Sequence, residues 1–441
     1  MYMKRIKRVL CTVFVLLLVL STGFSASAVS YDYDKELESD TVLVVNLDTG
    51  MPVFEKNADK VRYPASLTKI MTYIIAYENI DDVYNTRVEI KQSVLNPLLG
   101  TGSSMSGLDH KVGKSVTVID LLHCLMITSG NDAALVLADY VGGGNTNKFV
   151  DMMNAKAKAL GCKNTNFVNP HGLHDSNHRT TARDLYTITS YAMELPLFSE
   201  ITNKSTYYCE DDTYPLVTTN YMIDYNRGGD YYYSAAKGVK TGTTDEAGRC
   251  LITTGILSGN AYMCICMGAP YQGSDHNGAM TDAKGILKWA LESLEYTRVL
   301  ETQTPCCEVK VNFSNEHDSI LLYPKEIINT VLPIERNEED IVTVYDAPES
   351  IDAPIKKGDV VGKASIYYKD VLIKTIDLVA GEDIEKSEFT YTMHVFKSVL
   401  LSWVFWVAAG LTVALLIVYI ALVSHIRSKN KRRRVKKYRS M

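Results

Sequence analysis

The chain has 441 residues, enough for two or three domains and a large core. Its 46 basic and 51 acidic residues give a net charge of −5. The basic residues crowd at the ends: without the four before residue 29 and the ten from Lys397 onward, 32 basic face 51 acidic residues, a balance near −19. That excludes nucleic acid and anionic lipid as the main partners of the central part.

Residues 1–28 read as a signal peptide. Lys4, Arg5, Lys7 and Arg8 form the basic start, residues 9–20 the apolar run, and Ala26-Ser27-Ala28 the small-residue cleavage site. An uncleaved anchor is the alternative. Residues 40–47 and 52–55 predict two strands joined at Asp48-Thr49-Gly50. Pro64 turns the chain into the next element. From Ser66 the residues Leu67, Ile70, Met71, Ile74 and Ile75 recur at helical spacing. Lys69 lies one turn up the same face, which brings a hydroxyl and an amine together. A desolvated lysine can take the proton of a serine and make it a nucleophile. The N–H of Ser66 lies in the first turn and has no acceptor within the helix. Ser-x-x-Lys is weak alone, because Ser234 to Lys237 and Ser428 to Lys431 repeat it.

Residues 86–114 are turn-rich with short strand-like pieces. Helices are predicted at 118–127, 132–140, 146–160 and 180–193, the last capped by Thr180. Ser129-Gly130-Asn131 falls between the first two. Residues 169–174 form a loop. The strand around Lys240-Thr241-Gly242 leads to strands 249–257 and 261–267, joined at Ser258-Gly259-Asn260, and a helix covers 279–294. A helical middle framed by strands gives an α+β fold with a mainly antiparallel sheet and a helical cluster. From about residue 305 short alternating segments predict a small all-β domain of about 90 residues. Residues 399–423 are uncharged, apolar and long enough to cross a bilayer, and nine basic residues from Arg427 to Arg439 place the end in the cytoplasm. The layout is therefore 1–28 signal peptide, 35–300 catalytic domain, 305–390 all-β domain, 399–423 transmembrane helix and 424–441 basic tail.

Nine cysteines are present, one of them Cys11 in the leader. An even eight after cleavage permits disulfides. Cys124 in a helical run, Cys264 and Cys266 on one strand, and adjacent Cys306 and Cys307 favour mostly free thiols. The spacing of His171, His174, Asp175 and His178 could suggest a metal cluster, but the ligand geometry is missing, and no metal or cofactor is expected.

Ser66-x-x-Lys69, Ser129-Gly130-Asn131 and Lys240-Thr241-Gly242 occur in the order of the penicillin-recognising serine enzymes. With residues 121–142, 169–185 and 237–248, and with 353–362 and 378–386 of the β-domain, the chain resembles the serine-type D-alanyl-D-alanine carboxypeptidases, the low-molecular-mass penicillin-binding proteins. The resemblance covers roughly 35–390 and implies a penicillin-binding/β-lactamase-like catalytic domain. It implies Ser66 as acylated nucleophile, Lys69 as general base and Ser129 in proton transfer. It gives substrate binding to Asn131, Lys240, Thr241 and Gly242, with the N–H groups of Thr243 and Ser66 as the oxyanion hole. The implied substrate is a peptidoglycan stem peptide ending in D-Ala-D-Ala, with β-lactam antibiotics as covalent inhibitors; the membrane contact is expected from the 399–423 helix. One departure stands out: where many relatives carry a carboxylate-binding arginine, this chain reads Met267-Gly268-Ala269-Pro270, with Arg227 as the substitute on offer. A class A β-lactamase would have Ser-Asp-Asn and a deacylating glutamate, neither of which is found. A β-lactam sensor and a wall-anchoring protein are the other rivals.

Overall fold

The computed structural model describes residues 31–210, 212–271, 273 and 276–438, with side chains to residue 429. The signal peptide expected at 1–28 lies outside the described residues, as do the tail side chains beyond 429. The chain forms two units. The first runs to Val299 and includes Ile328–Val342 and Tyr367–Lys374; the second holds Leu300–Ile327, Thr343–Ile366 and the chain from Thr375.

The first unit is built on a five-stranded sheet. Its strands are β1 (Thr41–Asn46), β2 (Pro52–Lys56), β3 (Ala236–Thr244), β4 (Gly248–Leu257) and β5 (Asn260–Ala269). They lie in the order β2-β1-β5-β4-β3, every neighbour antiparallel. Successive side chains of a strand point to opposite faces, and here both faces are covered. Leu43 and Val45 of β1 and Met263, Ile265 and Met267 of β5 enter the core on one side. Val42, Val44, Tyr262, Cys264 and Cys266 enter the core on the other. That explains why these strands read as nearly unbroken apolar runs.

The first face carries a helical cluster that includes α1 (Lys69–Glu78), α2 (Val118–Met126), α3 (Asn131–Gly142), α4 (Thr146–Ala159) and α5 (Ala182–Glu194). Eight of the ten residues of α1, Lys69 to Ala76, are buried. Each large apolar side chain among them contributes roughly 1.5–3 kcal/mol, so α1 is the pillar of the cluster. The second face is covered by α6 (Gly278–Ser293), whose Met280, Ile286, Leu287 and Leu291 fill that core. The predicted cap of α5 moves by one residue. Thr180 is engaged in a two-way backbone pairing with Arg62, and Thr181 accepts the N–H of Asp184 at 3.1 Å instead.

The second unit carries strands of a six-stranded sheet whose segments include Cys307–Asn312, Ser319–Pro324 and Ser350–Asp352. There Cys307–Asn312 pairs in parallel with Ser350–Asp352 and antiparallel with Ser319–Pro324. A helix follows at Glu388–Leu401. The chain breaks at Ser402 in extended backbone, and a second helix runs Trp403–Tyr438. Its segment Trp403–Lys429 is long and apolar enough to cross a membrane. The apolar run expected at 399–423 is thus divided, with residues 399–401 ending the preceding helix. All eight cysteines among the described residues are free.

Candidate active site

Ser66 sits in a short 3₁₀ turn, Ala65–Thr68, that runs directly into α1. Ala65, just before it, holds the left-handed φ of 47°. Such backbone strain in a non-glycine residue persists only where the surroundings enforce it. Two glycines do so here. A Cβ on Gly172 would lie 1.9 Å from the Ala65 carbonyl oxygen, and one on Gly242 would lie 3.1 Å from Ser66 N. The 169–174 loop and the edge strand β3 therefore press on the turn from two sides.

Lys69 is fully buried. Its Nζ lies 2.9 Å from Ser66 Oγ, 2.6 Å from Asn131 Oδ1 and 2.6 Å from the His171 carbonyl oxygen. A neutral amine has two N–H donors and one lone pair. The two oxygens of Asn131 and His171 take the donors, and the lone pair is left for the Ser66 hydroxyl. Burial pushes the Lys69 pKa well below its usual value, the charge of Lys240 pushes it further down, and Asp132 opposes them. The three oxygens suit either protonation state, and burial with the charge of Lys240 tips the balance to the neutral amine.

The second motif forms the corner between α2 and α3. Ser129 is buried with φ 62°, a second strained non-glycine residue. Gly130 N donates to the Cys124 carbonyl at 3.0 Å and Asn131 N to the Ser104 carbonyl at 2.9 Å. Asp132, fully buried, accepts from the Ser106 N–H and hydroxyl and from Leu108 N. This carboxylate anchors the preceding loop against the corner, a part that sequence reasoning missed although it adjoins Asn131.

On the opposite side, Lys240 is buried and its Nζ donates to the Thr241 carbonyl at 3.0 Å. Burial lowers its pKa to about 7. Thr241 is half-buried, with its Oγ1 2.5 Å from Thr219 Oγ1. Thr243 follows Gly242 on the same edge strand and pairs with Arg249 of β4. Lys69 therefore joins Ser66 to Asn131, and Gly242 stands against Ser66. Arg227 is spent elsewhere: its Nε donates to Asp224 at 2.7 Å and its Nη2 to the Thr218 carbonyl at 2.6 Å.

The repeated motifs stay at the surface. Ser234 and Lys237 are exposed, and Ser258 sits with φ 51° in the exposed turn between β4 and β5. The histidines are structural. His178 Nε2 is 2.8 Å from Thr68 Oγ1, and burial lowers the His171 and His178 pKa values to about 3 and about 4.

A profile of the D-alanyl-D-alanine carboxypeptidase family matches residues 26–271. The C-terminal domain of penicillin-binding protein 5 matches 295–386. The chain is 27% identical over 391 residues to D-alanyl-D-alanine carboxypeptidase DacF of Bacillus subtilis, covering 87% of this chain and 96% of that one. It is 28% identical over 364 residues to D-alanyl-D-alanine carboxypeptidase DacA of Escherichia coli strain K12, covering 80% and 85%. The structure of penicillin binding protein 5 from Haemophilus influenzae aligns with TM-score 0.63 and 26% identity, over 81% of this chain and all of that one. The match spans the catalytic and the all-β parts, and the chain belongs to the penicillin-binding D-alanyl-D-alanine carboxypeptidases, the serine peptidase family S11.

Proposed function

We propose that the enzyme removes the terminal D-Ala from peptidoglycan stem peptides ending in D-Ala-D-Ala, through an acyl-enzyme on Ser66. The observation that carries this reading is the fully buried Lys69 with its Nζ 2.9 Å from Ser66 Oγ, where a neutral amine can turn its lone pair to the hydroxyl. Lys69 takes the Ser66 proton as Oγ attacks the carbonyl carbon of the penultimate D-Ala. The N–H groups of Ser66 and Thr243 hold the oxyanion. Collapse of the tetrahedral intermediate breaks the peptide bond, and the departing amine takes a proton through Ser129. Water then attacks the ester and restores Ser66.

Asn131 spends Oδ1 on Lys69, so its Nδ2 is the group that holds the substrate backbone. Lys240 and Thr241 receive the terminal carboxylate, and Gly242 lets the substrate lie close to β3. A β-lactam acylates the same serine and blocks it. The apolar helix Trp403–Lys429 and the basic residues around and after it support a single span, with the catalytic unit outside and the tail in the cytoplasm.

The test is D-Ala release from an acyl-D-Ala-D-Ala peptide by full-length protein in detergent. Wild type is expected to release D-Ala and Ser66→Ala to release none above background. Release by Ser66→Ala at the wild-type rate would overturn the assignment.

A further inference from the structure

We infer that Thr219 binds the substrate's terminal carboxylate together with Thr241, so that a pair of hydroxyls stands where a guanidinium is missing. The inference rests on the proposed role of Thr241 and adds a residue to it. Thr219 Oγ1 lies 2.5 Å from Thr241 Oγ1. Each hydroxyl has one proton, so within that pair only one can donate to the other. A carboxylate offers two acceptor oxygens. On its arrival each hydroxyl can donate to one of them, and one neutral contact is replaced by two charge-assisted ones.

Thr219 is held for this task. Its N–H donates to the carbonyl of Ile127, two residues before Ser129, at 3.2 Å. On one side Thr218 N donates to the Ser205 carbonyl at 2.8 Å, and the Thr218 carbonyl accepts from Arg227. On the other side Asn220 Nδ2 donates to the Gly238 carbonyl of β3 at 2.8 Å. Thr218 and Asn220 are buried and Thr219 is half-buried. The three-residue strap thus ties the end of α2 to β3 and leaves one hydroxyl at the reactive edge. Arg227 braces the strap through the Thr218 carbonyl and donates its Nε to Asp224, so it is tied to these two partners rather than standing in for the missing arginine. Nothing in the sequence marks Thr219, because it lies outside every motif and is 22 residues from its partner.

The test uses full-length enzyme carrying Thr219→Val, which keeps the shape and deletes the hydroxyl, and Thr219→Ser, which returns it. Substrates are an acyl-D-Ala-D-Ala peptide and its C-terminal amide; acylators are benzylpenicillin and its methyl ester. Thr219→Val is expected to lower kcat/KM on the free carboxylate about 10- to 100-fold, mainly through KM, the size of one lost charge-assisted hydrogen bond. On the amide and the ester its effect stays within about threefold, and Thr219→Ser recovers most of the loss. An equal loss on carboxylate and uncharged probes would overturn the inference, showing that Thr219 only shapes the strap. So would no loss on the carboxylate. Wild type that neither releases D-Ala nor takes penicillin would sink the parent reading, a result distinct from either.

Discussion

Lys69 and Lys240 are both buried in the first unit, and both cost it stability at neutral pH. An unfolded lysine titrates near ~10.4, whereas Lys240 titrates at about 7 in the fold. Between those values the unfolded chain binds the extra proton, so stability rises with pH across that window, and the full cost applies below 7. Lys240→Met should therefore melt higher than wild type at pH 7, with the gap narrowing by pH 9, as followed by circular dichroism. A gap that widens with pH would contradict this. The same pair sets the rate profile. With the proposed roles, acylation should rise with pH as Lys69 loses its proton, and carboxylate binding should weaken above about 7 as Lys240 loses its charge. In Lys240→Ala the ascending limb should move to higher pH, because a positive neighbour of Lys69 is gone. Lys69→Arg should keep the fold and lose acylation. At this scale the motif residues were legible in the sequence, since their chemistry demands particular types at fixed spacings. Thr219 and the His171 carbonyl were not, because a hydroxyl or a backbone oxygen acquires its meaning only from where the fold puts it.

At the scale of elements, Ser66, the proposed nucleophile, is placed by pieces that converge on residues 65–69. The 169–174 loop matters most, because Gly172 (φ 89°) leaves no room for a side chain against the Ala65 carbonyl. Gly172→Ala should push the turn away from the 169–174 loop and slow penicillin acylation at least about 100-fold, as expected when a reacting group is misplaced by about 1 Å. Stopped-flow acylation with a circular dichroism control measures it; wild-type rates would show that the loop is not a support. Thr181→Ala removes the cap of α5 and should cost about 1 kcal/mol of stability, readable in denaturant melts. Helices and strands were legible from periodicity to within a few residues. The cap was misread between adjacent threonines because Thr180 is committed to the pairing with Arg62, a long-range contact that no local pattern reports.

For the whole molecule, the succession of helical cluster, sheet and all-β part was legible from changes in patterning. The return of Ile328–Val342 and Tyr367–Lys374 to the first unit was not, because alternating strands do not announce which core they join. Nor was the break at Ser402, since the apolar run continues through it. With the topology proposed above, protease added to intact protoplasts should remove the catalytic unit and spare a tag on the C-terminal tail; a digested tag would reverse the orientation. The central claim is that one serine among many is acylated. Full-length protein is incubated with benzylpenicillin, its intact mass is read, and the digest is mapped by tandem mass spectrometry. The account predicts one adduct per chain, on the peptide carrying Ser66, and none in Ser66→Ala. An adduct on Ser129, Ser234 or Ser258, or one that survives in Ser66→Ala, would contradict it.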